Sequence, residues 1–141
     1  MRTMSDDEVR EFLSHGTRTG KVAWVASDGR PHVTPIWFVL DGDDLVFNTH
    51  ESAGKAKAMG RDGRVSLVVD DETPPFSYVK IDGTVSFGTD PDELRAVATR
   101  IGGRYMGPDR AEEFGRRNGV PGELIVRLTP TRITAHADLA D

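Results

Sequence analysis

Three short β-strand patterns separated by Asp-Gly turns place the strongest constraint on the fold. They cover Lys21–Ser27, Val33–Leu40 and Leu45–His50. Asp28-Gly29 lies between the first and second patterns, and Asp41-Gly42 between the second and third. Because Asp-Gly between apolar runs is a strong hairpin signal, the sequence predicts an antiparallel meander of three strands. The two prolines of the segment PHVTPI have no backbone N–H to donate, so the second strand is expected at a sheet edge or bulge.

The other periodic segments predict further strands and a few short helices. Helices are predicted over Ser5–Gly16 with a capping box, over Ser52–Gly60, from Asp90 to a Gly102-Gly103 pair that weakens the helix, and over Pro108–Asn118. Strands are predicted over Val65–Val69, over Val79–Phe87 with a bulge at Gly83, and over Leu124–His136 as one strand or a strand pair broken at Pro130. Six or seven mainly antiparallel strands with peripheral helices predict a mainly β protein, a small closed or split β-barrel that leaves few exposed strand edges.

Size and composition limit the classes of function. A chain of 141 residues is expected to form a single domain, residues 1–141, with little volume to enclose a large cofactor, so a site at a dimer interface is favoured. The net charge of -5 argues against general nucleic-acid binding. The lack of cysteine excludes thiol nucleophiles and zinc–thiolate sites. No apolar run is long enough to span a membrane, and the charged N-terminus does not resemble a signal peptide, so a cytoplasmic location is expected.

Lys55 and Lys57 are the leading candidates for an anion-binding site. They lie near the start of the second predicted helix, shortly after the strand that contains Asn48 and Thr49. A lysine ammonium beside the free backbone N–H groups of a helix start binds phosphate well. Residues two apart on a helix point in different directions, so one lysine is expected to face a phosphate and the other to face solvent. The alternative is a solvated surface helix, and the residues leave the two interpretations about evenly balanced.

The second predicted strand offers an edge for a planar ligand. Backbone groups beside Pro35 are free of normal ladder pairing, so they can bind the polar edge of a ring. Trp37 can pack on such a ring or across a dimer interface. The alternative is an edge strand that carries a core tryptophan.

Other kinds of chemistry have little support in the sequence. The four histidines lack metal-ligand spacing, and there is no serine-hydrolase elbow, P-loop or dinucleotide-binding glycine motif. No metal site and no catalytic side chain are predicted, and His50 is the histidine closest to the presumed ligand. Arg104 and Tyr105 lie near a predicted helix end, where Arg104 is expected to stay in solvent, with a second anionic group of the ligand as the alternative.

The run PHVTPIWFVLDGDDLVFNT, followed by SAGKAKAMGRDGRVSLVV and YVKIDGTV, resembles the pyridoxamine phosphate oxidase-like, FMN-binding split β-barrel proteins. The resemblance covers about residues 6–136 and is closest to the actinobacterial branch of coenzyme F420-dependent oxidoreductases. It implies a homodimer with two cofactor sites at the subunit interface. The residues implied to lie along the cofactor ring are Val33, Thr34, Pro35, Ile36 and Trp37, with Tyr78 in the place where flavin-binding members often carry a glutamine. The residues implied to hold the phosphate are Asn48, Thr49, Ser52, Lys55 and Lys57.

Departures from the family pattern argue against pyridoxamine phosphate oxidase activity itself. Pyridoxamine phosphate oxidases have an arginine beside the phosphate lysine, where this chain has Gly54, and another at the start of the ring-binding strand, near Val33 here. The K-x-x-N-L-R pattern common in the deazaflavin branch has become KAKAMG, without its asparagine and arginine. The resemblance therefore implies a reductase that uses reduced deazaflavin coenzyme F420 to pass a hydride to an unsaturated organic small molecule. An FMN-dependent oxidoreductase and a non-catalytic flavin- or deazaflavin-binding protein are the alternatives.

Overall fold

The chain forms eight strands and four helices, in a computed structural model that describes residues 1–141. The strands are β1 (Arg2–Thr3), β2 (Gly20–Val25), β3 (Pro31–Ile36), β4 (Val39–Asp41), β5 (Asp44–His50), β6 (Arg64–Asp71), β7 (Ser77–Gly88) and β8 (Glu123–Ala137). The helices are α1 (Asp6–Ser14), α2 (Gly54–Arg61), α3 (Pro91–Met106) and α4 (Ala111–Asn118), with a short 3-10 turn at Pro108–Arg110. The predicted mainly β class is confirmed. The strand count exceeds the predicted six or seven because the second predicted strand divides and Arg2–Thr3 adds a short one.

All eight strands belong to one antiparallel sheet. Its hydrogen-bonded order is β3-β2-β6-β7-β8-β5-β4, and β1 pairs with β8. β3 and β4 therefore lie at opposite ends of this path, although only Trp37 and Phe38 separate them in sequence. The two ends of the sheet approach each other at this two-residue segment, here named the strand switch, and the sheet curls into a split barrel.

The predicted three-stranded meander is wrong. β2 pairs with β3 and β4 pairs with β5, but the two hairpins lie at opposite ends of the sheet. The predicted strand Val33–Leu40 is broken after Ile36, because the chain crosses there from one end of the sheet to the other. The edge position expected from the prolines is confirmed, since β3 pairs only with β2.

The two longest strands are bent at Gly83. The register of β7 on β8 shifts between Asp82 and Gly83, where Gly83 lies opposite Pro130. A Cβ atom at position 83 would lie 2.3 Å from the carbonyl oxygen of Thr129, so the close approach of these strands requires glycine. The predicted bulge is confirmed. The alternative of a separate strand pair is wrong, because β8 continues through Pro130.

Two apolar clusters hold the fold together. The barrel interior contains eighteen buried residues, many at alternate strand positions such as Val65, Leu67 and Val69 of β6. A second cluster joins α3 to the outer side of the sheet: Val39, Val46, Leu94, Val97, Ile101 and Ile125. Because α3 covers the outer side of β5, that strand is apolar on both faces. The packing fixes α3 beside the strand switch.

Helix boundaries follow the local sequence closely. The capping box of α1 forms as predicted: Ser5 Oγ accepts from the Glu8 N–H and the Glu8 carboxylate accepts from the Ser5 N–H. The expected weakening of α3 at Gly102-Gly103 does not end the helix. A Cβ atom at Gly102 would lie 2.4 Å from Cβ of Phe114, so glycine there allows α4 to pack closely. As a result, α3 continues to Met106.

Candidate functional site

A groove of about 450 Å³ opens where the two ends of the sheet meet. Six predicted site residues from three segments line it: Pro35, Ile36, Trp37, Asn48, Thr49 and Lys55. Thr19, Ile101, Asn118 and Glu123 complete the lining. Two hollows of about 480 Å³ lie elsewhere, one beside α1 and one on the outer face of the sheet, and neither contains a predicted site residue. The fold therefore brings the end of β3, the end of β5 and the start of α2 into one concave surface.

Lys55 is the only cationic side chain that lines the groove. Of the four lysines, Lys21 and Lys80 form ion pairs with aspartates, whereas Lys55 has no carboxylate partner. It is the second residue of α2, whose N-cap residue Ala53 provides no side-chain hydrogen bond. Free N–H groups at the helix start and an unpaired ammonium group therefore lie together, which is the arrangement that favours an anion.

Thr49 contributes a hydroxyl group with no partner in the chain. It is the only polar side chain among the buried residues, with 6% of its surface exposed. Its hydroxyl makes no hydrogen bond within the protein, although the side chain lines the groove. Because the side chain lines the groove, this unpaired hydroxyl is suited to a ligand or a water molecule there.

Asn48 is paired with a carboxylate that the sequence did not indicate. Its side-chain amide donates to the Glu123 carboxylate over 3.3 Å, across the β5–β8 pairing. This contact leaves the Asn48 amide oxygen and the second Glu123 carboxylate oxygen without a hydrogen bond in the chain, and both side chains line the groove. The Asn48–Glu123 pair is therefore suited to hydroxyl or N–H donors of a ligand, and Asn48 is less suited to the phosphate contact that the resemblance implied.

Five predicted site residues lie outside the groove lining: Val33, Thr34, Ser52, Lys57 and Tyr78. Val33 is 65% exposed on the outer face of β3, and Lys57 is exposed on α2. The Thr34 hydroxyl is buried and has no partner within the chain. Tyr78 lies on the outer face of β7, where its ring meets the edge of His136.

Ser52 is held by His50. Its Oγ lies 2.7 Å from Nδ1 of His50, and its backbone N–H donates to the same nitrogen over 3.1 Å. Because Nδ1 accepts from a backbone N–H, the proton of the neutral imidazole lies on Nε2. The pair forms a small turn between β5 and α2, the two elements that contribute Asn48, Thr49 and Lys55 to the groove.

An aromatic wall borders the groove at the strand switch. The indole of Trp37 stacks on Tyr105 with ring centroids 5.1 Å apart and planes within 3°, and 37% of Trp37 remains exposed. The expectation that Arg104 stays in solvent is wrong, since it is half-buried and donates to three backbone carbonyl groups. Burial lowers the pKa of Arg104 and raises the pKa of the Tyr105 phenol. Tyr105 therefore stays protonated at neutral pH.

Comparison with known proteins identifies the family. The family model described as pyridoxamine 5'-phosphate oxidase matches residues 5–137. The chain belongs to the pyridoxamine 5'-phosphate oxidase family. The resemblance to the pyridoxamine phosphate oxidase-like split-barrel proteins is thereby confirmed, and the eight-stranded barrel is the fold of this family. No curated protein matches the chain.

Several solved structures match over most of the chain. The conserved hypothetical protein Rv2991 from Mycobacterium tuberculosis is 26% identical, with a TM-score of 0.85 over 96% of this chain and 86% of that chain. An F420 reductase is 26% identical, with a TM-score of 0.69 over 87% of this chain and 94% of that chain. HutZ, a heme storage protein from Vibrio cholerae, is 20% identical, with a TM-score of 0.73 over the whole of both chains. At this lower identity the likeness to HutZ shows the fold alone.

No group of three or more His, Cys, Asp or Glu side chains is arranged to hold a metal ion. None of the helices has the length and apolar character needed to cross a membrane.

Proposed function

We propose that the groove binds the deazaflavin coenzyme F420 and that the protein uses its reduced form to pass a hydride to an unsaturated organic substrate. The observation that carries this proposal is the groove itself, where an unpaired lysine at a helix start and an exposed tryptophan line one surface. The lysine suits a phosphate, and the tryptophan suits a planar ring. The 26% identity to an F420 reductase favours a deazaflavin over other ring-and-phosphate ligands.

The groove fits such a ligand in three parts. Lys55 and the start of α2 form the anion end. Pro35, Ile36 and Trp37 of the strand switch form the apolar end, where a ring can lie. The Thr49 hydroxyl and the Asn48–Glu123 pair line the same groove and offer polar contacts, which suit the hydroxylated chain between the ring and the phosphate of F420 or FMN. The volume of about 450 Å³ lies within the range of small-molecule sites.

The residues of the chain bind and orient rather than react. The bound cofactor supplies the hydride, and the protein contributes position and electrostatics. Lys55 holds the phosphate, and Trp37 packs against the ring. No side chain acts as a nucleophile. A proton needed by the substrate comes from solvent, with His50, or Tyr78 across a dimer interface, as the alternative donors.

We further propose that residues 1–141 form one binding domain and that two copies form a homodimer with cofactor sites at the interface. Val33 and Tyr78 support this arrangement, because both lie on the outer face of the sheet, away from the groove of their own chain. In a dimer, that face can lie against the groove of a second copy. Light scattering at low protein concentration tests the proposal, and a monomer mass would contradict it.

Titration with F420 and with FMN tests the cofactor directly. We expect F420 to quench tryptophan fluorescence at micromolar concentration, because Trp37 lines the groove. The reduced cofactor is then tested for turnover with unsaturated substrates. If neither cofactor quenches either tryptophan, the proposed function fails.

FMN is the second candidate cofactor, because the family fold and the same three-part groove suit it equally. A yellow preparation that releases FMN would replace the deazaflavin proposal with this one. A protein that binds either cofactor without turnover of any unsaturated substrate would be a binding protein rather than an enzyme.

A further inference from the structure

The strand switch leaves backbone groups that no neighbouring strand can pair. Trp37 and Phe38 lie between β3 and β4, outside the ladders of the sheet. Buried backbone groups require partners, and those of Phe38 find them on α3. The Phe38 N–H donates to the Tyr105 hydroxyl over 3.2 Å, and the Phe38 carbonyl oxygen accepts from Arg104 over 2.8 Å.

Tyr105 connects the backbone of the strand switch to the indole of Trp37. Its hydroxyl accepts from Phe38 and donates to the Arg18 carbonyl oxygen over 2.8 Å, so the position of the oxygen is fixed from two sides. The same ring stacks on Trp37 with planes within 3°. A change in the position of Tyr105 would therefore move both the backbone after Trp37 and the surface on which its indole rests.

Arg104 holds this arrangement against the end of α1. Its guanidinium donates to the carbonyl oxygens of Leu13 and Gly16 over 2.7 and 2.9 Å. The last turn of α1 has no basic residue of its own, and Arg104 and Arg18 donate to its carbonyl groups from outside the helix. The guanidinium also lies over the rings of Phe38 and Tyr105, 4.6 and 4.9 Å from their centroids. It forms no ion pair, so its role in the structure is to bind carbonyl groups and aromatic faces.

We propose that Tyr105 and Arg104 are positioning residues that hold Trp37 in the orientation in which it receives the planar ring of the cofactor. The part of this inference that concerns the cofactor rests on the proposed function. A merely structural role would stabilise α3 without any effect on Trp37. If the contacts are removed and the protein remains folded, a positioning role predicts a change in the environment of the Trp37 indole, whereas a structural role predicts none.

A protein with one tryptophan separates these roles. Trp24→Phe leaves Trp37 as the only tryptophan, and Trp24 does not line the groove. Tyr105→Phe in this background keeps the aromatic stack and removes both hydrogen bonds. Arg104→Lys keeps the charge and loses the bonds to several carbonyl groups at once. Arg100→Lys is the matched control, because Arg100 lies one turn earlier on α3 and donates to the Leu40 carbonyl oxygen, away from Trp37.

Two measurements are made on each folded variant: quenching of Trp37 fluorescence by acrylamide without cofactor, and affinity for F420 and FMN. We expect Tyr105→Phe and Arg104→Lys to increase the quenching and to weaken the affinity about 5- to 30-fold, the scale of one or two lost hydrogen bonds. Arg100→Lys is expected to change neither quantity, even where it lowers the melting temperature by a similar amount.

Unchanged quenching in both variants would overturn the positioning role. Increased quenching with unchanged affinity would overturn its connection to the cofactor. If the parent protein binds neither cofactor, the proposed function fails, and the quenching comparison alone decides whether Tyr105 and Arg104 position Trp37.

Discussion

The side-chain amide of Asn48 donates a hydrogen bond to the carboxylate of Glu123 across 3.3 Å, within the same groove as Lys55. The groove therefore contains one cation and one carboxylate that do not form an ion pair with each other. A ligand that satisfies both has an anionic group at one place and neutral hydrogen-bond donors at another. The groove therefore favours an anionic group near Lys55 and hydrogen-bond donors near the Asn48–Glu123 pair.

Glu123→Gln should change the selectivity of the groove for charge. Without the carboxylate, a phosphate near Lys55 meets less repulsion, so affinity for a phosphorylated cofactor should rise about two- to fivefold at low salt. High salt should abolish this gain because it screens the charges. Isothermal titration with FMN and with riboflavin, which lacks the phosphate, checks the prediction. Glu113→Gln on α4 is the control, since Glu113 pairs with Arg110 outside the groove. A gain for riboflavin equal to that for FMN would contradict the charge argument.

Lys55→Ala should weaken cofactor affinity by about 1.5–3 kcal/mol, the scale of a hydrogen bond to a charged group. The physical reason is that Lys55 is the only cation that lines the groove and has no carboxylate partner. The comparison is Lys57→Ala, two residues along the same helix and exposed, for which a much smaller loss is expected. Both values come from fluorescence titration at one ionic strength. An equal loss in both variants would point to a general charge effect of α2 rather than a phosphate anchor.

Gly83→Ala should destabilise the barrel by about 2–4 kcal/mol, because the new Cβ atom would meet the Thr129 carbonyl oxygen and force β7 away from β8. Gly60→Ala is the matched change within α2, where a Cβ atom meets nothing within 4 Å. It should stabilise the protein by about 0.5–1 kcal/mol through helix propensity. Urea unfolding of the two variants measures both effects, and the opposite signs are the specific prediction. A Gly83→Ala protein as stable as the parent would show that the strands can separate at no cost.

Acid should destabilise the protein below about pH 4. The hydrogen bonds from Arg64 lower the pKa of Asp62 to about 2, and hydrogen bonds from Thr73 and from Ser66 lower the pKa values of Asp71 and Asp82. A carboxyl group whose pKa is lower in the folded state contributes stability that is present above its unfolded pKa. That stability is lost as the pH falls through the folded pKa. The free energy of unfolding should therefore decrease between about pH 4 and pH 2.

Arg64→Ala tests the cause of the Asp62 shift. Without the guanidinium, the pKa of Asp62 should rise toward its ordinary value, and this can be followed by NMR titration of the carboxyl carbon. The Asp71 and Asp82 carboxyl groups serve as internal controls, since Arg64 contributes to neither shift. An Asp62 that still titrates near pH 2 in the variant would show that the backbone of the turn, rather than Arg64, holds the charge.

Much of the local structure could be predicted because its causes lie within a few residues. The capping box of Ser5 and Glu8, the helix after β5 and the bulge at Gly83 all follow from local hydrogen bonding or backbone conformation. Lys55 could be placed at a helix start for the same reason. The edge position of the second strand, with its prolines and Trp37, also follows from local sequence. The family resemblance added residues such as Asn48, Thr49, Ser52 and Tyr78, and six of the eleven predicted site residues line the groove.

Other parts of the site could not be predicted, because they depend on contacts between distant residues. Glu123 lies 75 positions from Asn48, and only the pairing of β5 with β8 brings them together. Arg104 was expected to stay in solvent at a helix end, because nothing near it in sequence indicates that α3 packs beside the strand switch. The prediction of a three-stranded meander was wrong for a related reason. Turn signals specify which neighbouring strands pair but not which edge of the sheet each hairpin occupies.

The sequence by itself determined the strand periods, the hairpin turns, the helix starts and the family, since these depend on side-chain types at short spacing. The tertiary structure alone decided where the barrel splits. That decision depends on the two-residue switch at Trp37 and Phe38. The Phe38 backbone groups, which lie outside the strand ladders, are bound by a helix that begins more than 50 positions later. The groove lies between the two ends of one sheet, so it exists only after the sheet has curled. The set of residues that line it therefore follows from the tertiary structure.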